Sequence, residues 1–172
     1  MPSSLDVPDW LKNHPELLAR DIKLHMAIKP YGSLYYTPRP LGSYIPQYMV
    51  KVLDSVTEEC SINERLQHSL SSPNHSLPCE IIRSEPHLLV MPFVGSLAFL
   101  EFKNRPTSFI LDAYHQIIEG VEYLHRLQIA HLDICFDNVA SASDYDAATD
   151  ARLVEGKVYI VDFGQSRQLA LG

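Results

Sequence analysis

Three side chains late in the sequence have types and spacing suited to moving a phosphoryl group. His131-Leu132-Asp133-Ile134-Cys135-Phe136-Asp137-Asn138 reads H-x-D-x-x-x-x-N, and Val161-Asp162-Phe163-Gly164 follows as an apolar residue before D-F-G. Phosphoryl transfer to a hydroxyl needs a carboxylate beside the acceptor and an amide oxygen for one metal ion. It also needs a second carboxylate for the metals that bridge the phosphates. Asp133, Asn138 and Asp162 offer these groups in that order. Taken singly, each also reads as a turn cap or a strand-ending carboxylate. Taken together and in order, they form a specific signal. A fourth residue, Lys51, sits between Val50 and Val52. A lysine on such a strand either faces solvent or meets an anion, because an unpaired buried ammonium is costly.

The elements that must position these groups are legible from periodicity. Residues 8–20 suggest a short helix or two half-turns broken at Pro15. Ile22, Leu24, Met26 and Ile28 alternate, which predicts a strand, and Pro30-Tyr31-Gly32-Ser33 a turn. Residues 34–37 and 47–53 read as two more strands, separated by a loop through Pro38, Pro40 and Gly42. A helix is expected from about 55–58, capped by Thr57, with an apolar stripe at Ile62, Leu66 and Leu70 and an end at 71–74. Residues 79–82 and 88–93 bring the strands to five. From 107 or 108 to about 126 the pattern is helical. Ile110, Leu111, Tyr114, Ile117, Ile118, Val121 and Leu124 give it a wide apolar face suited to a core helix. Residues 158–161 form a strand that delivers Asp162. Residues 140–156 are polar and small and predict an expanded, mobile turn. Its Asp144, Asp146 and Asp150 lack the spacing of a calcium loop.

With these motifs in place, the chain resembles the eukaryotic protein kinases over about residues 45–172. Residues 116–138 look like the family's long helix and catalytic loop, Tyr48-Met49-Val50-Lys51-Val52-Leu53-Asp54 like its lysine strand, and His87 to Gly95 like its adenine-holding strand and hinge. The stretches at 74–82, 88–93 and 130–133 further resemble kinase-like proteins of filamentous fungi. The resemblance implies an α+β fold: an N-terminal antiparallel sheet lobe with one helix over about 20–93, then the start of a mainly helical C-terminal lobe over 94–172. The whole would be a single partial domain cut short after D-F-G. It implies ATP and magnesium as cofactors, with a protein Ser/Thr hydroxyl as acceptor. Lys51 would hold the α- and β-phosphates and Asp133 would take the hydroxyl proton. Asn138 and Asp162 would bind metal, and Met91 and Phe93 would lie at the base. Phe163 would pack between the helix and His131.

In the family the lysine pairs with a helix glutamate. Glu59, with Ile62 and Leu66 at +3 and +7, lies at the edge of the buried stripe; Glu64 is nearer the family's usual distance but on the opposite face. Glu59 is preferred. Leu132 replaces the family's arginine, Cys135 replaces a lysine near the γ-phosphate, and no G-x-G-x-x-G precedes Lys51. The long helix would bury its apolar face partly against helices of the family that this chain does not include, which predicts an exposed apolar patch inviting a partner. Weak or absent transfer is therefore expected of this chain. The alternatives are a pseudokinase-type binding or scaffold module, and small-molecule phosphotransfer on the same logic.

The totals agree with one domain of 172 residues and 46% apolar content. A formal charge of −7 argues against broad nucleic-acid or anionic-membrane binding. The N-terminus has no secretory pattern, and Cys60, Cys79 and Cys135 have no metal spacing. Together these predict an intracellular, cytoplasmic and reducing setting. Histidines other than His131 are expected to be surface or satisfied core residues.

Overall fold

The computed structural model describes residues 3–38, 46–68, 73–95 and 105–169. The fold is α+β, built on a five-stranded antiparallel sheet. The chain opens with two short helices, α1 (Asp9–Lys12) and α2 (Pro15–Ala19). Pro15 sits at the start of α2, where its missing N–H costs nothing, so it ends one helix and begins the next. Strands β1 (Met26–Ala27), β2 (Leu34–Tyr36) and β3 (Tyr48–Val52) follow, then helix α3 (Glu59–Gln67) and strands β4 (Glu80–Ile82) and β5 (Leu88–Pro92). The order across the sheet is β1-β2-β3-β5-β4.

The strand period of two decides what each face carries. Val50, Leu88 and Val90 pack with Leu11, Leu17 and Ile22, so the N-terminal helices cover one face. Met49, Leu89 and Met91 pack on the other face with Leu77, Cys79 and Tyr159. Lys51 is two residues from Met49 and pairs with Leu89, which places it on this second face. The hydrophobic pattern thus carries the lysine inward.

The second half is organised by helix α4 (Thr107–Arg126). It leads to strand β6 (Ile129–Ala130), strand β7 (Val139–Ser141), helix α5 (Asp144–Thr149), strand β8 (Val158–Ile160) and strand β9 (Arg167–Gln168). Strands β7 and β8 form an antiparallel ribbon, as do β6 and β9. Ile62 and Leu66 of α3 meet Tyr123 and Leu124 of α4, together with Ile129, Ile160 and Phe163, in one buried cluster. At Gly120 a Cβ would stand 2.8 Å from the His75 Cβ and 2.9 Å from the Ile160 Cδ1, so α4 can approach β8 only with glycine there. His75 is buried, its ring nitrogens engaging the Val158 carbonyl at 2.6 Å and Glu119 at 3.0 Å.

Four expectations need correction. The strand expected over 22–28 is confined to Met26–Ala27, and Ala27 rather than Ile28 is buried. The Ala27 amide is drawn to the Leu5 carbonyl, which turns the edge of the sheet away from simple alternation. Thr57 does not cap α3. Its hydroxyl donates to the Asp54 carbonyl in a preceding turn, and the helix begins two residues later. The supposed mobile turn over 140–156 contains α5, started by a reciprocal capping box between Ser143 and Asp146 and anchored by buried Leu153. On α4 the buried residues are Ala113, Gly120, Tyr123 and Leu124. Leu111, Tyr114 and Ile118 are exposed, an apolar surface of the kind expected. Pro40, Gly42, Leu70 and residues 71–72 lie outside the described residues. Among the described residues no helix is long and apolar enough to cross a membrane.

Candidate functional site

A cavity of about 250 Å³ opens on the Lys51 face of the sheet. Its walls come from distant parts of the sequence: Met49 and Lys51 on β3, Leu89 and Met91 on β5, Glu59 and Asn63 on α3, and Ile160 to Phe163 after β8. Leu34, Leu77 and Cys79 extend the apolar part. One end is therefore a slot lined by aliphatic and sulfur-bearing side chains, and the other is charged.

The charged end is built around Lys51. Its ammonium donates to both carboxylate oxygens of Glu59, at 2.6 and 2.7 Å, and to Asp162 Oδ1 at 2.7 Å. Glu59 is buried because Ile62 and Leu66 turn the same side of α3 into the core. Glu64, on the other side, pairs with Arg83 instead. Of the two glutamates open to Lys51 from sequence, the structure selects Glu59.

Burial works against the charge on Lys51, but the Glu59 carboxylate and then Asp162 outweigh it and hold its pKa above the ordinary lysine value. Burial also lifts Glu59 above the usual carboxylate value against the pull of Lys51. Asp162 is half exposed. Burial raises it too, but Lys51 and the Gly164 amide carry it below the usual value. One ammonium thus serves two carboxylates, and this end of the cavity keeps an excess of negative charge.

Asp162 follows β8 in a left-handed conformation, φ 62°, which aspartate tolerates better than most residues. Its side chain accepts from the Gly164 amide. Phe163 is buried in the cluster with Ile62 and Leu66, and its ring centroid lies 4.9 Å from that of His131. This is the packing expected from sequence.

The loop after β6 carries the other two candidates. The Asn138 amide nitrogen donates to the Asp133 carboxylate at 2.8 Å and to its carbonyl at 3.0 Å. With its nitrogen so used, the Asn138 oxygen is the atom with lone pairs to offer a cation. Asp133 is exposed, as a group meeting an external acceptor must be. Neither lies in the cavity wall, yet both are tied to Asp162 through the backbone. The Val161 amide donates to the Asn138 carbonyl at 3.0 Å, and Val139 stands opposite Ile160 in the β7–β8 ribbon. Asn138 and Asp162 are therefore held at the same end of that ribbon.

His131 fixes the loop. Its Nε2 lies 3.1 Å from the Val161 carbonyl and its Nδ1 accepts from the Asp133 amide at 3.3 Å, an arrangement that suits neutral imidazole. Burial lowers its pKa, against the opposing pull of the Val161 carbonyl. The Ser166 hydroxyl locks the far side by donating to the His131 carbonyl at 3.1 Å. Leu132, between His131 and Asp133, has φ 66° and an exposed side chain, so backbone strain sits directly beside the candidate base.

Of the two residues expected at the base, Met91 lines the cavity and Phe93 does not. Beyond Pro92 the strand ends. The Phe93 amide goes to the Gln47 carbonyl and its ring packs edge-on to Tyr36, centroids 6.3 Å apart. Sequence reasoning missed Asn63, Leu77 and Cys79. Asn63 lies one helical turn from Glu59 and is buried; its nitrogen donates to the Glu59 carbonyl at 2.9 Å. A polar residue inside an apolar stripe was the available signal. Cys79 is buried, which pushes its thiol up to about 12 and makes it an inert wall rather than a nucleophile. A scan of the sequence against models of known protein families matches none of them.

Proposed function

We propose that this chain binds ATP with magnesium in the Lys51 cavity and is of the protein-kinase type, built for phosphoryl transfer to a protein Ser/Thr hydroxyl. The observation that carries the reading is Lys51 held by buried Glu59 and by Asp162 at the charged end of an otherwise apolar slot. The slot suits a flat heterocyclic base in its chemistry, and Lys51 a phosphate. The excess of carboxylates over ammonium suits a divalent cation. Asp162 and the Asn138 oxygen are hard donors of the kind magnesium takes while keeping several waters. When bound, magnesium would screen the phosphate charge.

The remaining chemistry belongs to the chain's own groups. Asp133, oriented by Asn138, takes the proton of the acceptor hydroxyl. The hydroxyl oxygen bonds to the γ-phosphorus, the bond to the β-phosphate oxygen breaks, and ADP leaves. Lys51 keeps the phosphates aligned, and the Phe163–His131 packing keeps Asp162 and Asp133 in fixed relation.

A second reading is a nucleotide-binding scaffold without turnover. Cys135 favours it: an exposed thiol stands where the resemblance puts a lysine near the γ-phosphate. A thermal-shift titration tests both. ATP with magnesium should raise the melting temperature by ligand linkage, and Asp162→Ala should remove the magnesium-dependent part. Phosphate transfer to a generic acceptor should be near background. Turnover abolished by Asp133→Ala would decide for the transferase over the scaffold. No shift at millimolar ATP would overturn the nucleotide reading.

A further inference from the structure

We propose that His75 is held in the folded chain as a buried imidazolium, a proton-dependent latch that fastens α4 and β8 to the segment between α3 and β4. His75 is 4% exposed. Its Nδ1 lies 2.6 Å from the Val158 carbonyl on β8, and its Nε2 lies 3.0 Å from the Glu119 carboxylate on α4. A carbonyl and an ionised carboxylate can only accept. The hydrogen bond to His75 holds the Glu119 carboxyl below its usual range, which keeps it ionised at neutral pH. Both ring nitrogens are therefore asked to donate, and only the doubly protonated ring does so.

Neither neutral tautomer fits. A proton on Nδ1 alone turns the Nε2 lone pair on Glu119. A proton on Nε2 alone turns the Nδ1 lone pair on the Val158 carbonyl. The ring has little room to turn toward α4, because a Cβ on Gly120 would stand 2.8 Å from the His75 Cβ and 3.3 Å from its Cγ. The backbone is fixed as well. The His75 carbonyl accepts from the Ile160 amide at 2.7 Å, and the neighbouring Asn74 side chain donates to the Leu66 carbonyl of α3 at 2.9 Å. The latch thus sits where α3, α4 and β8 meet.

The charged groups around it come from two elements. Helix α4 supplies Glu119 and His115, and Lys157 stands just before β8; His115 and Lys157 both act on the Glu119 carboxylate. Residues 74–78 carry no other titratable group. A ring that prefers its proton in the folded chain gives stability that is present below the ordinary histidine value and lost as pH rises.

Chemical denaturation of the wild type, Glu119→Gln and His115→Gln between pH 6 and pH 8, with ring-nitrogen NMR of His75 in each, tests this. A glutamine amide can donate to a neutral ring, so Glu119→Gln removes the need for the second proton. The folding constant of the wild type relative to Glu119→Gln should fall about tenfold from pH 6 to pH 8, and His115→Gln should behave as the wild type. Burial of His131 acts in the opposite sense, but equally in all three proteins, and cancels from the ratio. At pH 7 the wild-type ring should carry protons on both nitrogens and the Glu119→Gln ring on one. A singly protonated His75 in the wild type at pH 7 would overturn the proposal, as would equal pH dependence in the wild type and Glu119→Gln. Loss of the dependence in His115→Gln would assign the titration to His115 and overturn it too.

Discussion

Helix α3 separates two cavities, and they differ in kind. The inner one, about 250 Å³, is walled by Met49, Leu89 and Met91 and closed at one end by Lys51, Glu59 and Asp162. The outer one, about 490 Å³, is walled by Asp54, Thr57, Glu64, Arg83, Glu85 and His87. Each contains a glutamate of α3 paired with a cation from the sheet side. The Lys51–Glu59 pair is buried, whereas the Arg83–Glu64 pair is largely solvated. Volume alone would choose the outer cavity; chemistry chooses the inner one. In water Arg83 and Glu64 gain little from each other. In the core, Lys51 and Glu59 each depend on the other, and a charged ligand entering there meets fields that solvent does not screen.

The largest effect should come from removing the packing that turns Glu59 inward. Leu66 is fully buried against Phe163 and Tyr123. Leu66→Ala should destabilise the fold by about 3 kcal/mol in chemical denaturation, while the outward neighbour change Arg65→Ala should scarcely register. Next comes the buried pair itself. Lys51→Met leaves Glu59 and Asp162 facing each other and should cost about 2 to 3 kcal/mol. Adding Glu59→Gln should recover part of that loss, which a double-mutant cycle would measure.

Smaller is the alkaline response of the inner wall. The folded chain holds the Cys79 thiol neutral to about 12, while the unfolded chain releases its proton at the ordinary value of 9.0. A folded pKa raised above the unfolded one gives stability that is present below the unfolded value and lost as pH rises. Stability should therefore fall by about 1 kcal/mol between pH 8 and pH 10, and Cys79→Ala should flatten that slope. Smallest of all, Glu64→Ala on the outer side should change stability by less than about 0.5 kcal/mol.

Much of this was legible in the sequence because it rests on period and motif. The strand pattern around Val50 marked Lys51 as a lysine that must face solvent or meet an anion, the Ile62–Leu66 stripe distinguished Glu59 from Glu64, and α4 was readable almost to its ends. What failed depended on partners far along the chain. Nothing local says that Leu153 plugs the core and turns an apparently loose stretch into a capped helix. Nothing local says that Phe93 leaves the cavity wall once Pro92 ends its strand. The alternation at 22–28 was real as a pattern but lacked a neighbouring strand along most of its length. The commitment of the Tyr31 amide to Ser4 could not be read from sequence, because only the folded N-terminus brings that carbonyl to the turn.

On the proposed reading the inner cavity, and not the larger outer one, takes the nucleotide. Amide hydrogen exchange with and without magnesium-ATP tests it directly. Exchange should slow at Met49–Val52, Leu89–Met91 and Ile160–Gly164, with no change at Thr57, Glu64 or Arg83. Unchanged exchange throughout, or protection confined to the outer cavity, would contradict it.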